Sequence, residues 1–93
     1  MTDMTLDNAE GHPAARQFFY VTAIDGDRVF PLAGPYESRS DAEGRVDVVR
    51  RIAMDPDRNT QHGRAAFMAY GVTRLTARHP RRSALGRIDV NGN

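Results

Sequence analysis

The stretch QFFYVTAI, residues 17–24, is rich in aromatic and β-branched residues. These are the side chains that suit a pleated strand. In a strand, Phe18, Tyr20, Thr22 and Ile24 share one face, and Phe19, Val21 and Ala23 share the other. Both rows are apolar, so the strand belongs at the centre of a sheet with cover on each side. Whatever else the chain does, it must hide both faces of this strand.

The residues that follow supply one cover. Asp25-Gly26, flanked by apolar runs, marks a tight hairpin with φ > 0 available at two central positions. RVFPLA, 28–33, is the return strand, and Pro31 assigns it to a sheet edge because proline has no N–H for a ladder. Gly34-Pro35 ends it. A helix then runs to Asp55-Pro56, with Ser40/Glu43 as a capping box and Ser38/Asp41 as a competing frame. Ala42, Val46, Val49 and Ala53, widened by Ile52, form its apolar stripe. Residues 55–64 read as loop, and AAFMAYGVTRL, 65–75, as a third strand, with a short helix over 62–68 as the alternative. ALGRIDV, 84–90, is a weak candidate for a fourth. The expected fold is α+β: a three- or four-stranded antiparallel sheet with one helix on one face, in the order β-β-α-β(-β).

Ninety-three residues make one domain at most. Residues 1–16, polar and acidic with Gly11 and Pro13, are expected to be a disordered leader, 17–75 the folded unit, and 76–93 a basic C-terminal segment, irregular or carrying one weak strand. No cysteine is present, so disulfides and thiolate metal sites are excluded. No apolar run is long enough to span a membrane, and the N-terminus has no secretory character, so a cytoplasmic protein is expected.

Catalytic constellations are missing from the pattern. His12, His62 and His79 stand far apart in loops, where surface histidines are the ordinary reading. DPDRN, 55–59, opens like a calcium loop, but Thr60 replaces the required glycine and Ala66 the closing glutamate. No glycine pattern cradles a phosphate. The expectation is therefore no enzyme, no catalytic residue, no metal and no cofactor.

Charge is sorted along the chain. Residues 1–44 carry three arginines against eight carboxylates, and 45–93 carry ten against four. All the basic side chains are arginine, which reflects a GC-rich coding sequence or a need for planar, bidentate contacts. Arg74, Arg78, Arg81, Arg82 and Arg87 follow one another without an intervening acid. They form the candidate contact set, joined by Tyr20 and Tyr70 as aromatics on a sheet face; Tyr36 and Phe67 are further aromatic candidates. The plainer alternatives are a solvated tail for the arginines and a core or dimer interface for the aromatics. The function expected is non-enzymatic binding of a protein partner; the alternative is an accessory nucleic-acid binder using 74–87, whose binding would weaken with salt.

Two resemblances bear on this. LAGPYESRSDAEGRVDVVRRIA, residues 32–53, resembles half of a SPOR-type peptidoglycan-binding repeat, in which a strand ends in Gly-Pro-aromatic before a capped helix; those domains use two such halves, and one is present here. FYVTAIDGDR, LAGPY, the helix and FMAYGVTRL together, roughly 18–75, are similar to short uncharacterised proteins of prophages and integrative elements in GC-rich bacteria. That resemblance implies a mobile-element setting, where small proteins bind and block host-defence components.

One helix covers one face of the first strand. The second face needs the tail, another copy or a partner. The tail offers little apolar cover beyond Ala84, Leu85 and Ile88, so a homodimer through sheet faces or edges is expected, with the Pro31 strand excluded as the paired edge.

Overall fold

A computed structural model describes residues 15–93. It contains β1 (Arg16–Asp25), β2 (Arg28–Tyr36), α1 (Arg39–Glu43), α2 (Val46–Met54), α3 (His62–Ala65) and β3 (Ala69–Ala77). The strands form one antiparallel sheet in the order β2-β1-β3, with the apolar first strand in the middle and the Pro31 strand at an edge. The fold is α+β, as the sequence predicts. Most of the leader, 1–14, and with it His12, lies outside the described residues; Arg16 already belongs to β1.

The hairpin closes at Asp25↔Arg28, so its two turn residues are Gly26 and Asp27, one position later than the sequence suggests. Gly26 takes φ 65° at the first turn position, the conformation a two-residue hairpin demands and a side chain resists.

The single predicted helix is two. Ser38, not Ser40, is the N-cap: its Oγ accepts the Asp41 N–H at 3.1 Å. The chain tightens at Gly44-Arg45, where the Arg45 N–H bonds the Ala42 carbonyl at 3.0 Å, and α2 starts afresh at Val46. The break rotates the buried stripe: Val48, Val49, Ile52 and Ala53 are buried, while Val46 is only half-buried. At the other end of α2, the Asn59 amide donates to the Ala53 carbonyl at 2.6 Å, so DPDRN serves to end a helix.

The third strand begins at Ala69 rather than 65, because α3 claims 62–65 and buries Ala65. Phe67, in the turn between them, is 91% exposed. Residues 84–90 form no strand; correcting the four-stranded option, they run irregularly along the outer edge of β2. Ala84 N–H donates to Pro31 O (3.1 Å), Leu85 N–H to Leu32 O (2.7 Å) and Gly34 N–H to Gly86 O (2.9 Å).

The core lies between the sheet and α1–α2, and contains Phe19, Val21, Ala33, Tyr36, Ala42, Val48, Val49, Ile52 and Ile88. Ile88 belongs to the segment expected to be poor cover, and that expectation is wrong. After β3 the chain crosses the second face, where Tyr20 is buried and its hydroxyl donates to the Arg81 carbonyl (2.8 Å) and accepts the Arg81 N–H (2.7 Å). It then rounds the β2 edge and enters the helix side, where the Tyr36 hydroxyl does the same for Ile88 (2.6 and 3.1 Å). The strap needs few apolar side chains because two tyrosines and a strand edge satisfy its backbone. On the same second face, the Thr22 hydroxyl bonds that of Thr73 at 3.0 Å, and the Arg16 guanidinium lies 5.1 Å from the Phe18 ring centre.

Candidate functional site

A groove of about 460 Å³ lies between the hairpin, the end of α2 and α3. Its apolar floor is Ala23, Phe30, Leu32, Ala53, Met68 and Tyr70. Strand register explains the grouping: Ala23 pairs with Phe30 on one side and Tyr70 on the other, so all three share the helix-side face. α3 supplies the far wall. It is held there by Tyr70, whose hydroxyl donates to the Ala65 carbonyl at 2.8 Å. Burial pushes the Tyr70 phenol above its ordinary range, partly opposed by Arg50, so it stays a neutral donor.

Arginines rim the groove. Arg28 lies over the Phe30 ring at 5.1 Å, and Arg64 reaches Asp25 at 3.2 Å. The groove continues past Asn59 toward Leu85, where Arg58 joins the wall. No carboxylate is among the residues lining either part.

A second hollow, about 290 Å³, lies among Tyr36, Glu37, Asp41, Arg45, Arg87 and Asp89. Arg45 stacks on Tyr36 at 5.3 Å and donates to the Asp41 carbonyl at 2.9 Å. Arg87 donates through Nε to Pro35 O at 2.9 Å. Arg45, Asp41, Arg87 and Asp89 are engaged with one another or with backbone, so this hollow reads as a structural joint.

The structure scatters the candidate contact residues. Arg78, Arg81 and Arg82 stand exposed on the strap, with Arg81 fixed through its backbone by Tyr20. Arg74 pairs with Phe19 on the helix-side face, beside Arg39, whose guanidinium lies 5.5 Å from the same ring. Arg87 is across the β2 edge, and Tyr70 is in the groove at the opposite end of β3. Tyr20 is 2% exposed and acts as an internal fastener. The groove was hidden from sequence reading, since its floor draws on four separate elements; the one local signal was the alternation of Met68 and Tyr70.

Among the described residues, no group of three or more histidines or carboxylates stands ready for a metal. His62 is exposed with Nδ1 3.2 Å from the Asn59 carbonyl, and Asp55 accepts the Asp57 N–H at 2.8 Å. No described helix is long and apolar enough to cross a membrane. No family model matches the chain, and neither a curated protein nor a solved structure matches it.

Proposed function

We propose that this chain is a small interaction protein that acts in the cytoplasm by seating an acidic, apolar segment of a protein partner in the groove. The sign of the rim carries the reading: Arg28, Arg58 and Arg64 surround an apolar floor with no carboxylate in the lining. The floor supplies burial, and planar guanidinium groups suit carboxylates bidentately. An extended occupant fits better than a compact one because the groove continues from Tyr70 past Ala53 to Leu85. The resemblance of residues 18–75 to mobile-element proteins directs the search for the partner to host-defence components.

Selection from a random peptide library against the whole chain tests this. Binders enriched in Asp or Glu beside large apolar residues, and lost on Arg64→Glu, are the expected result. Binders without charge bias, or indifferent to Arg64→Glu and Met68→Glu, overturn it.

A second reading, contact with a polyanion such as nucleic acid, is favoured by the strap. Tyr20 pins the backbone at Arg81, which holds Arg78, Arg81 and Arg82 on one exposed ribbon instead of a free tail.

A further inference from the structure

We infer that the free edge of β3 is a self-pairing surface, and that two copies of the chain join there into one continuous six-stranded sheet about a two-fold axis through Thr73.

The argument starts from the edges. β1 is paired on both sides. The outer edge of β2 is closed by 84–86, by the Ser83 hydroxyl on Gly34 O (2.7 Å) and by two prolines that have no N–H to offer. β3 differs. Its nine residues pair with β1 in unbroken register from Ala69 to Ala77, and no other described segment bonds its backbone. It lacks the usual protections of an edge: it has no proline, no bulge and a single charge, Arg74.

The strand is also complementary to itself. A two-fold centred on Thr73 is the only antiparallel register that pairs all nine residues. On the helix-free face it sets Thr73 against its copy, and Leu75 against Gly71. Leu75 is half-buried, and a Cβ added at Gly71 would meet nothing within 4 Å. Each Leu75 therefore finds open space over the partner's glycine, twice by symmetry. On the helix-side face Arg74 falls opposite Val72 and Tyr70 opposite Thr76. The two Arg74 side chains become diagonal neighbours rather than a direct like-charge pair, which a register centred on Arg74 would force. A strand edge buries less than a standard interface, so the dimer is weak, with dissociation in the range of tens of micromolar or above. Among β3 residues the groove shares Tyr70 alone with this edge, and the pairing rests on backbone groups of 69–77, so failure of one reading leaves the other standing.

The chain has no cysteine, which permits a direct test. Directly opposed residues of an antiparallel pair lie at a Cα separation compatible with a disulfide. Under mild oxidation, Thr73→Cys is expected to cross-link to itself at least about tenfold faster than Thr76→Cys, whose partner in this register is residue 70. Sedimentation of the unsubstituted chain should show 10.3 kDa giving way to twice that mass as concentration rises. Hydrogen exchange of the 69–77 amides that face away from β1 should slow over the same range. A species that stays at 10.3 kDa to several hundred micromolar overturns the inference. So does a dimer in which Thr73→Cys and Thr76→Cys cross-link alike. Concentration-independent protection, in a monomer, of the 69–77 amides that face away from β1 also overturns it, since the edge would then be covered by the chain itself. The sedimentation and exchange arms need no substitution, so a misfolded variant cannot spare the idea.

Discussion

The Tyr36 hydroxyl donates to the Ile88 carbonyl at 2.6 Å and accepts the Ile88 N–H at 3.1 Å, satisfying both backbone groups of one buried residue fifty-two positions away. Tyr20 repeats the arrangement with Arg81 on the opposite face of the sheet. Together the two side chains fasten the C-terminal strap around the β2 edge.

Tyr36→Phe is therefore expected to cost about 1–3 kcal/mol, because it leaves a buried N–H and C=O unpaired. Tyr20→Phe, at a partly buried bond, is expected to cost about 1 kcal/mol. Ile88→Ala is expected to cost about 2–4 kcal/mol as a core truncation. Urea denaturation measures all three; an Ile88→Ala variant as stable as the parent would mean that the strap is not seated in the core.

Glycine positions divide sharply. Gly34 has φ 128°, and an added Cβ would stand 2.8 Å from Tyr20 Cδ2 and 3.0 Å from the Phe19 carbonyl. Gly34→Ala should destabilise by about 2–4 kcal/mol from backbone strain and overlap. Gly44 is in the right-handed helical region, and its nearest neighbour would be 3.4 Å away. Gly44→Ala should stabilise by about 0.5–1 kcal/mol and favour one continuous helix. Thermal unfolding of the pair reads the opposite signs.

The strap should respond to pH at both extremes. Burial raises the Tyr36 phenol above its ordinary 10.0, despite the lowering effect of the Ile88 bond and of Arg45 and Arg87. A raised folded value means this contribution is complete below pH 10 and is lost as pH rises through the folded value. The backbone N–H groups of Asn93 and Asn91 lower the Asp89 carboxyl from 3.8. Its contribution is present above that pH and is lost as pH falls through the lower folded value. Amide exchange of Ile88 at high pH, and chemical shifts of Asn91 and Asn93 at low pH, report the two events separately.

The polyanion reading makes its own prediction. A triple Arg78→Glu, Arg81→Glu, Arg82→Glu variant should abolish oligonucleotide binding in anisotropy titrations. Any binding by the parent should fall steeply with salt. Parent binding that is absent at low salt removes this reading and leaves the groove untouched.

Local sequence determined the elements whose signals are short-range. Two largely apolar rows over 17–24 make a strand that must be central, and Gly26 makes it turn, though with Asp27 rather than Asp25 as its partner in the turn. Pro31 sends the return strand to an edge, and Ser38 with Asp41 starts a helix. The third strand was visible but two competing periods overlapped at 65–68; the structure ends α3 at Ala65, held by the Tyr70 hydroxyl, and turns over 66–68 before β3 begins. Only tertiary structure decided the course of 78–93. Its composition shows arginines and four aliphatic residues, which read as a tail. Its stability comes from Tyr20, Tyr36 and the β2 edge, all more than forty residues away. The groove has the same character: its floor is assembled from β1, β2, α2 and β3. Periodicity records how a residue relates to its neighbours in sequence. It carries no record of which distant hydroxyl will satisfy a backbone, and that bonding is what turned a basic tail into part of the core.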